Sequence, residues 1–345
     1  MSAVDRATPP LPFADCPADC DRVIESCNRF GLVGRSDPFL CAVRLLVRLA
    51  QFDVPVLIGG ESGTGKELFA RALHYMGVRR AGPFVPVNCS ALPDSLLESE
   101  MFGHARGAFT DARAEFKGLV AQADGGTLFL DEVHCLSPKG QASLLRFVQD
   151  KVFRPLGCER LRHADVKIVA ASNRPLASEV AAGRFREDLL YRLKVADLEL
   201  PPLRERKEDI PMLVEKAVEG LCTRFHTDPR RFDAASLAWL AAQSWPGNIR
   251  ELENFVCCAF LLSDGPLIHL PACAARTEPA RPGLQGTSFN DARARAVADF
   301  EAQYLRTMLA LTRGNVTEAA RLSGKDRRVF GRLMRKYGIE RRDYL

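Results

Sequence analysis

Gly60-Glu61-Ser62-Gly63-Thr64-Gly65-Lys66-Glu67 constrains this chain more than any other stretch, because of what flanks it. An apolar run, VPVLIGG, leads in and a helical run, ELFARALHYM, leads out. A strand that ends in a glycine-rich loop and opens directly into a helix is the setting of a phosphate-binding loop. Glycines let backbone N–H groups wrap phosphate oxygens, Lys66 supplies a positive charge, and the helix start adds its dipole. The bland alternative is a glycine-rich turn. Where many such loops place Ser or Thr after the lysine, this chain has Glu67, so a hydroxyl ligand for magnesium must come from elsewhere or be replaced by water.

The surrounding pattern is that of an α/β sheet. VPVLIGG, PFVPVNCS, GTLFLDEV and VKIVAASN read as buried strands separated by amphipathic helical stretches, an alternation that predicts a parallel sheet. Beyond Pro201-Pro202 the strands stop, and IPMLVEKAVEGLCTRF and FDAASLAWLAAQSW carry helical spacing, which suggests a smaller all-helical subdomain. PACAARTEPARPGLQGTS reads as a linker. The chain has 345 residues, 47% of them hydrophobic, enough for two or three folded domains. It shows no membrane span and no secretory signal, so a cytoplasmic protein is expected. The 11 cysteines are scattered, as reduced thiols would be. Cys16, Cys20 and Cys27 fit no usual zinc spacing. The first 30 residues are too short and too poor in apolar residues for a sensory domain.

A second motif gives the loop a chemistry. Leu128-Phe129-Leu130-Asp131-Glu132 ends an apolar strand in two adjacent acids, which a buried strand does not carry without use for them. Asp131 is placed to hold magnesium through water, and Glu132 to orient and deprotonate an attacking water. Together with Lys66 they make nucleoside triphosphate hydrolysis the leading reaction. Asn173 stands at another strand tip, where it can address the terminal phosphate or the water. Arg186 and Arg192 sit on neighbouring turns of GRFREDLLYRL, either as a solvated basic face or as arginine fingers for a neighbouring subunit. Arg250 opens a helix in WPGNIRELEN and can reach back to the same nucleotide.

Charge separates the C-terminal end from the rest. Between Asp291 and Leu345 there are 13 Lys and Arg against 7 Asp and Glu, whereas the remainder is nearly balanced. That is the electrostatic footprint of a nucleic-acid binder. Ala302, Leu305, Met308 and Leu309 stripe a first helix, Asn315 caps a second, and Gly324 turns into a third that carries Arg327, Arg328, Arg332, Arg335 and Lys336. A helix-turn-helix would present these side chains to phosphates and base edges of double-stranded DNA.

From about Val33 to Leu262 the chain resembles the AAA+ domain of bacterial enhancer-binding proteins, the activators of sigma-54 RNA polymerase. The matching stretches, in order, are GESGTGKE, FVPVNCSAL, ESEMFGHARGAFTDA, GGTLFLDEV, FREDLLYRL, LPPLRER and WPGNIRELEN. The C-terminal helices resemble the Fis-type helix-turn-helix that ends most of that family, with Lys325 where an apolar residue is usual. The resemblance implies an α/β P-loop AAA+ domain with a parallel sheet and helical lid, followed by a small all-α helix-turn-helix domain. It divides the chain into a short extension (1–32), the α/β ATPase part (33–203), the lid (204–268), a linker (269–290) and the DNA-binding domain (291–345).

The resemblance also implies roles. ATP and Mg2+ are its cofactors, bound by residues 60–67, with Asp131 toward the metal and Arg250 as second sensor. Glu67 is common at its place in this family. Glu132 activates water, Asn88 holds Glu132 in an inactive pose, Asn173 senses the γ-phosphate, and Arg186 and Arg192 act in trans within a ring, usually hexameric. Gly107-Ala108-Phe109-Thr110-Asp111-Ala112 matches the loop, usually GAFTGA, that grips the sigma factor. Asp111 replaces its second glycine, adding charge and removing backbone freedom, while the contact residues Phe109 and Thr110 remain.

The expectation is therefore an ATP-driven activator that binds upstream DNA, contacts sigma-54 RNA polymerase holoenzyme and opens the promoter complex. Without a sensory domain before Val33, control is expected from a separate regulatory protein, from expression level or from the short N-terminus. The alternative is a DNA-binding AAA+ regulator that acts by occupancy alone, which Asp111 favours and the Asp131-Glu132 pair disfavours. An ATPase for replication or protein unfolding has no use for the Phe109 loop.

Overall fold

The structure, a computed structural model, describes residues 29–91, 93–108, 114–263, 265–270, 305, 308–309, 312, 315–323 and 327–339. Residues 1–270 and 271–345 form two separate units.

The first unit is built on a five-stranded parallel sheet. The chain enters through α1 (Asp37–Ala50), passes along β1 (Val56–Gly59) and turns through the glycine loop into α2 (Lys66–Tyr75). It continues through β2 (Phe84–Asn88), α3 (Asp94–Phe102), the short α4 (Leu119–Gln122), β3 (Thr127–Asp131) and α5 (Pro138–Asp150). A two-residue antiparallel pair, β4 (Val152–Phe153) with β5 (Arg162–His163), precedes β6 (Lys167–Ser172), α6 (Leu176–Ala181), α7 (Glu187–Leu193) and β7 (Ala196–Glu199). The strand order is β2-β3-β6-β1-β7. All four strands expected from the sequence are present in this sheet.

Alternation along the strands sorts side chains to the two faces. Leu57, Leu128, Leu130, Ile168 and Ala170 pack on one face with Phe102 and Phe147. Val56, Ile58, Phe129, Val169 and Ala171 pack on the other with Phe39, Phe69 and Leu73. With both faces covered, β1, β3 and β6 can be almost wholly apolar, as parallel strands are. Edge strand β7 buries only Leu198 through its middle and carries Asp197 and Glu199, a polarity that conceals it from a search for apolar runs.

The lid follows: α8 (Ile210–Phe225), α9 (Ala234–Ala242) and α10 (Asn248–Leu261) around Val214, Leu240, Trp245, Leu252 and Phe260. It is not all-helical. β8 (Arg231–Phe232) pairs in parallel with β9 (Leu267–Ile268), closing the chain back across the helices and burying Phe232 and Ile268. Asp233 then caps α9 by accepting a hydrogen bond from Ser236 N–H at 2.8 Å.

Two helices are described in the second unit, α11 (Val316–Leu322) and α12 (Arg327–Lys336). Asn315 caps α11 through a 3.3 Å bond from Glu318 N–H, as its position foretold. Leu305, Leu309, Ala319, Ala320, Phe330 and Met334 form the core. Gly324, Lys325 and Ala302 lie outside the described residues.

Candidate functional site: the glycine loop, the lid joint and the basic helix

β1, β3 and β6 are adjacent, so Gly59, Asp131 and Ser172 end side by side at the carboxyl edge of the sheet. This crossover point is where open α/β sheets bind ligands. The loop after β1 runs through three glycines at positive φ, Gly60 (141°), Gly63 (79°) and Gly65 (97°), and Gly65 leads into α2. Lys66 Nζ donates to the carbonyls of Gly60 (2.9 Å) and Glu61 (3.1 Å). Burial pushes the Lys66 ammonium below its ordinary range, against the opposing pull of Glu132 and Asp131. Glu67 faces outward and pairs with Arg71 at 2.8 Å, one turn along α2. Thr64 Oγ1 donates to Glu61 O at 2.8 Å.

Asp131 is half-buried, and burial together with the neighbouring Glu132 charge raises its carboxyl above the ordinary carboxylate range, with Lys66 opposing. Two acids in such a place favour a cation beside them. Mg2+ prefers one or two carboxylates plus phosphate and water oxygens, so this donor set fits it without a hydroxyl at position 67. Glu132 stands just past β3 with φ 52°, in the left-handed region that suits glycine rather than glutamate. Its Oε2 accepts the Asn173 N–H at 3.3 Å and lies 3.4 Å from His134 Nδ1. That His134 nitrogen is also 3.2 Å from Ser172 Oγ, and burial lowers its affinity for a proton. His134 did not stand out in the sequence, where it follows the acidic pair as one unremarked polar residue.

Asn88 pairs in register with Asp131 across β2 and β3, and its Oδ1 accepts from Ser90 N–H (3.0 Å) and Ser90 Oγ (2.7 Å). Its side chain thus holds the turn after β2. Arg186 immediately precedes α7 and Arg192 lies in its last turn, both exposed. Arg186 makes two bonds to Asp188, at 3.0 and 2.8 Å. Its N–H donates to the buried Gln141 side chain, which itself donates to Leu136 O and Arg184 O. The Arg186 segment is thereby tied to the turn that follows Glu132.

The lid meets the loop directly. Arg250, two residues into α10, brings Nη1 within 3.4 Å of Ser62 Oγ. Asn248 and Arg204, both missed in the sequence, converge on Glu61 at 3.1 and 2.9 Å. Beside this joint lies a cavity of about 270 Å³ between the glycine loop, residues 31–33 and α8, lined by Leu32, Val33, Leu68, Leu213, Ile249 and Glu253 among others. It is mainly apolar and opens beside Gly65, a position suited to a nucleobase whose phosphates lie on the loop.

Of the segment expected to contact the sigma factor, Gly107 and Ala108 precede the gap in the described residues, with Gly107 at φ 80°. Phe109, Thr110, Asp111 and Ala112 lie outside the described residues, as do Cys16, Cys20 and Cys27. On α12, Phe330 and Met334 are buried, while Arg327, Arg328, Arg332, Arg335 and Lys336 are all exposed. One face of this helix therefore packs and the other is basic. Among the described residues, no helix is long and apolar enough to cross a membrane.

A parallel sheet whose strand β1 feeds a glycine loop, with an acidic pair at the tip of β3 on the other side of β6 and a lid arginine over the loop, defines a P-loop ATPase of the AAA+ type. Over 316 residues the chain is 42% identical to the transcriptional regulatory protein GlrR of Escherichia coli strain K12, covering 92% of this chain and 70% of the relative. The chain belongs to the sigma-54-dependent transcriptional activators, with an AAA+ ATPase domain and a Fis-type DNA-binding domain.

Family models match in the same order: the sigma-54 interaction domain over residues 32–199, the AAA+ ATPase lid domain over 204–284, and the Fis family of bacterial regulatory proteins over 296–337. The hydrogenase transcriptional regulatory protein HoxA of Bradyrhizobium diazoefficiens is 41% identical over 317 residues, covering 90% of this chain and 63% of HoxA. Among solved structures, NtrX from Brucella abortus in complex with ADP matches with a TM-score of 0.66 and 33% identity, over 90% of this chain and 69% of NtrX. NtrX in complex with ATP matches with a TM-score of 0.66 and 32% identity, over 89% and 69%.

Proposed function

We propose that this chain assembles into a ring, of the hexameric kind, that binds DNA upstream of a promoter and uses ATP hydrolysis to remodel sigma-54 RNA polymerase holoenzyme into the open complex. The observation that carries this reading is the meeting of Lys66, Asp131, Glu132 and the lid's Arg250 at one edge of the sheet, in a chain that also carries a basic helix exposed on its outer face. Backbone N–H groups of residues 60–67 and Lys66 hold the β- and γ-phosphates. Asp131 would hold Mg2+, which when bound would supply positive charge beside the phosphates. Glu132 takes a proton from the attacking water, and Asn173 fixes the carboxylate that does so through its N–H. Arg250 contacts the nucleotide from the lid. Arg186 and Arg192 of the neighbouring protomer complete the site, with Arg186 exchanging Asp188 for phosphate. Asn88 restrains Glu132 between turnovers. Residues 107–112 carry the motion to sigma-54 through Phe109 and Thr110. Arg327, Arg328, Arg332, Arg335 and Lys336 of α12 bind the major groove. The work is done in the cytoplasm.

The test is ATP-dependent open-complex formation by purified sigma-54 holoenzyme on a sigma-54 promoter. Wild type is expected to open the promoter, while Phe109→Ala and Glu132→Gln fail. If wild type hydrolyses ATP yet never opens the promoter, the activator reading falls and the chain regulates by occupancy, with Asp111 as the reason its loop does not engage.

A further inference from the structure

The turn that starts α10 is built in an unusual way. Trp245 (φ 48°) and Asn248 (φ 54°) both adopt left-handed backbone within four residues. Such conformations cost on the order of 1–3 kcal/mol each and persist only where the surroundings impose them. Trp245 is held by its indole N–H, which donates to Leu240 O at 2.8 Å. Asn248 is 1% exposed, and its side chain spans three pieces of chain. Its Oδ1 accepts Leu203 N–H at 2.7 Å, at the exit from the α/β part. Its Nδ2 donates to Glu61 Oε2 at 3.1 Å and to Ser62 O at 3.0 Å, both in the glycine loop.

Backbone contacts reinforce the joint. Ile249 N–H donates to Gly63 O at 3.0 Å. A Cβ on Gly63 would lie 2.3 Å from Gly247 O, so loop and lid turn touch main chain to main chain. Arg204, also at the exit from the α/β part, grips the same Glu61 carboxylate. The lid therefore cannot change its angle without moving residues 61–63, part of the loop that the proposed function gives to the phosphates.

We propose that Asn248 is a positioning residue for ATP hydrolysis: it joins the first turn of α10 to Glu61 and Ser62, so that the angle of the lid sets the shape of the phosphate loop. The lid then acts on the nucleotide by two routes, through the guanidinium of Arg250 and through the loop that Asn248 holds. The second route is the one that puts Arg250 in register, because Asn248 fixes the backbone two residues before it.

The experiment uses the full chain and reads KM and kcat for ATP, binding of a fluorescent ADP analogue, and thermal stability. Asn248→Asp keeps the size and the bond from Leu203 N–H but sets a carboxylate against Glu61. It is expected to raise KM and the ADP dissociation constant about tenfold or more, the usual scale for a hydrogen bond to a charged group. Glu61→Ala is expected to do the same and Glu61→Gln to lose clearly less than Glu61→Ala, because its amide oxygen still accepts from Asn248. In the Asn248→Ala/Glu61→Ala pair, the double variant is expected to be no worse than the worse single one. The proposal is overturned if the two effects multiply, if Glu61→Gln is as impaired as Glu61→Ala, or if the Asn248 variants lose only thermal stability while KM and ADP binding of the folded protein stay unchanged. Should the Asn248 variants not fold, the Glu61 pair decides, since Glu61 is partly exposed and its substitution spares the core.

Discussion

Asp209→Ala should be among the most destabilising single changes in the first unit. Asp209 is fully buried before α8 and accepts four hydrogen bonds: from Arg35 N–H (2.6 Å), Ser36 N–H (2.9 Å), Ser36 Oγ (2.7 Å) and Arg206 Nε (2.9 Å). Arg206 is 3% exposed, lies 4.2 Å over the Phe39 ring and keeps one further bond, to Val33 O. Truncating the acid leaves a buried guanidinium without its counter-ion, a loss of about 3–5 kcal/mol. Two amides also lose their acceptor, at about 1–3 kcal/mol each if they stay dry. Water entering the vacated space offsets part of this, so the net loss should be on the order of 4 kcal/mol. Both tryptophans, Trp239 and Trp245, belong to the lid, so urea unfolding followed by tryptophan fluorescence reads the affected region. With a slope of about 2 kcal/mol per M, the midpoint should fall by roughly 2 M. Asp209→Asn should lose about half as much, because an amide oxygen still accepts two backbone bonds. A midpoint unchanged within about 0.3 M in Asp209→Ala would refute the premise that this buried pair fastens the chain's entry to the lid.

Two further outcomes follow from local environments. Burial pushes the Cys89 thiol up to about 12, with Asp131 adding to the effect, so iodoacetamide at pH 8 should leave Cys89 unmodified in the native chain while labelling the exposed Cys41 and Cys258, as peptide mass spectrometry would read. Bonds from Ser236 and His269 hold the Asp233 carboxyl down at about 2. A carboxylate with a depressed folded value contributes stability above its unfolded value and loses it as pH falls through the folded one. Asp233→Asn should therefore lower lid stability at pH 6, with the difference from wild type closing between about pH 4 and pH 2 in acid titrations followed by circular dichroism.

What the sequence revealed and what it hid divide by distance along the chain. β1, β3 and β6 are legible because parallel strands buried on both faces are continuous apolar runs, and the glycine loop is legible because its chemistry is written in consecutive residues. The caps at Asn315 and the helix start at Asn248 are likewise local. β7 was hidden by Asp197 and Glu199 at the sheet edge, and the β8–β9 pair by being two residues long. The joint between Asn248 and Glu61 spans 187 positions and the Asp209 cluster joins residues more than 170 apart, so no periodicity marks either. The one available cue was Gly247-Asn248 itself, since Asn after Gly tolerates the left-handed backbone that the turn adopts. Folding also brought His134 into contact with Glu132, because the short turn after β3 doubles back onto the strand tip.

The backbone at Glu132, at φ 52°, puts the site in conflict with the fold that carries it. A residue without a side chain would relax there by about 1 kcal/mol or more, so Glu132→Gly should yield a sturdier protein that lacks the carboxylate proposed to activate water. Selection for longevity and selection for turnover thus pull in opposite directions at this position. A chain that needed only the DNA-binding scaffold would gain by glycine there, and glutamate at so uncomfortable a place is what the water-activating role proposed for it would require.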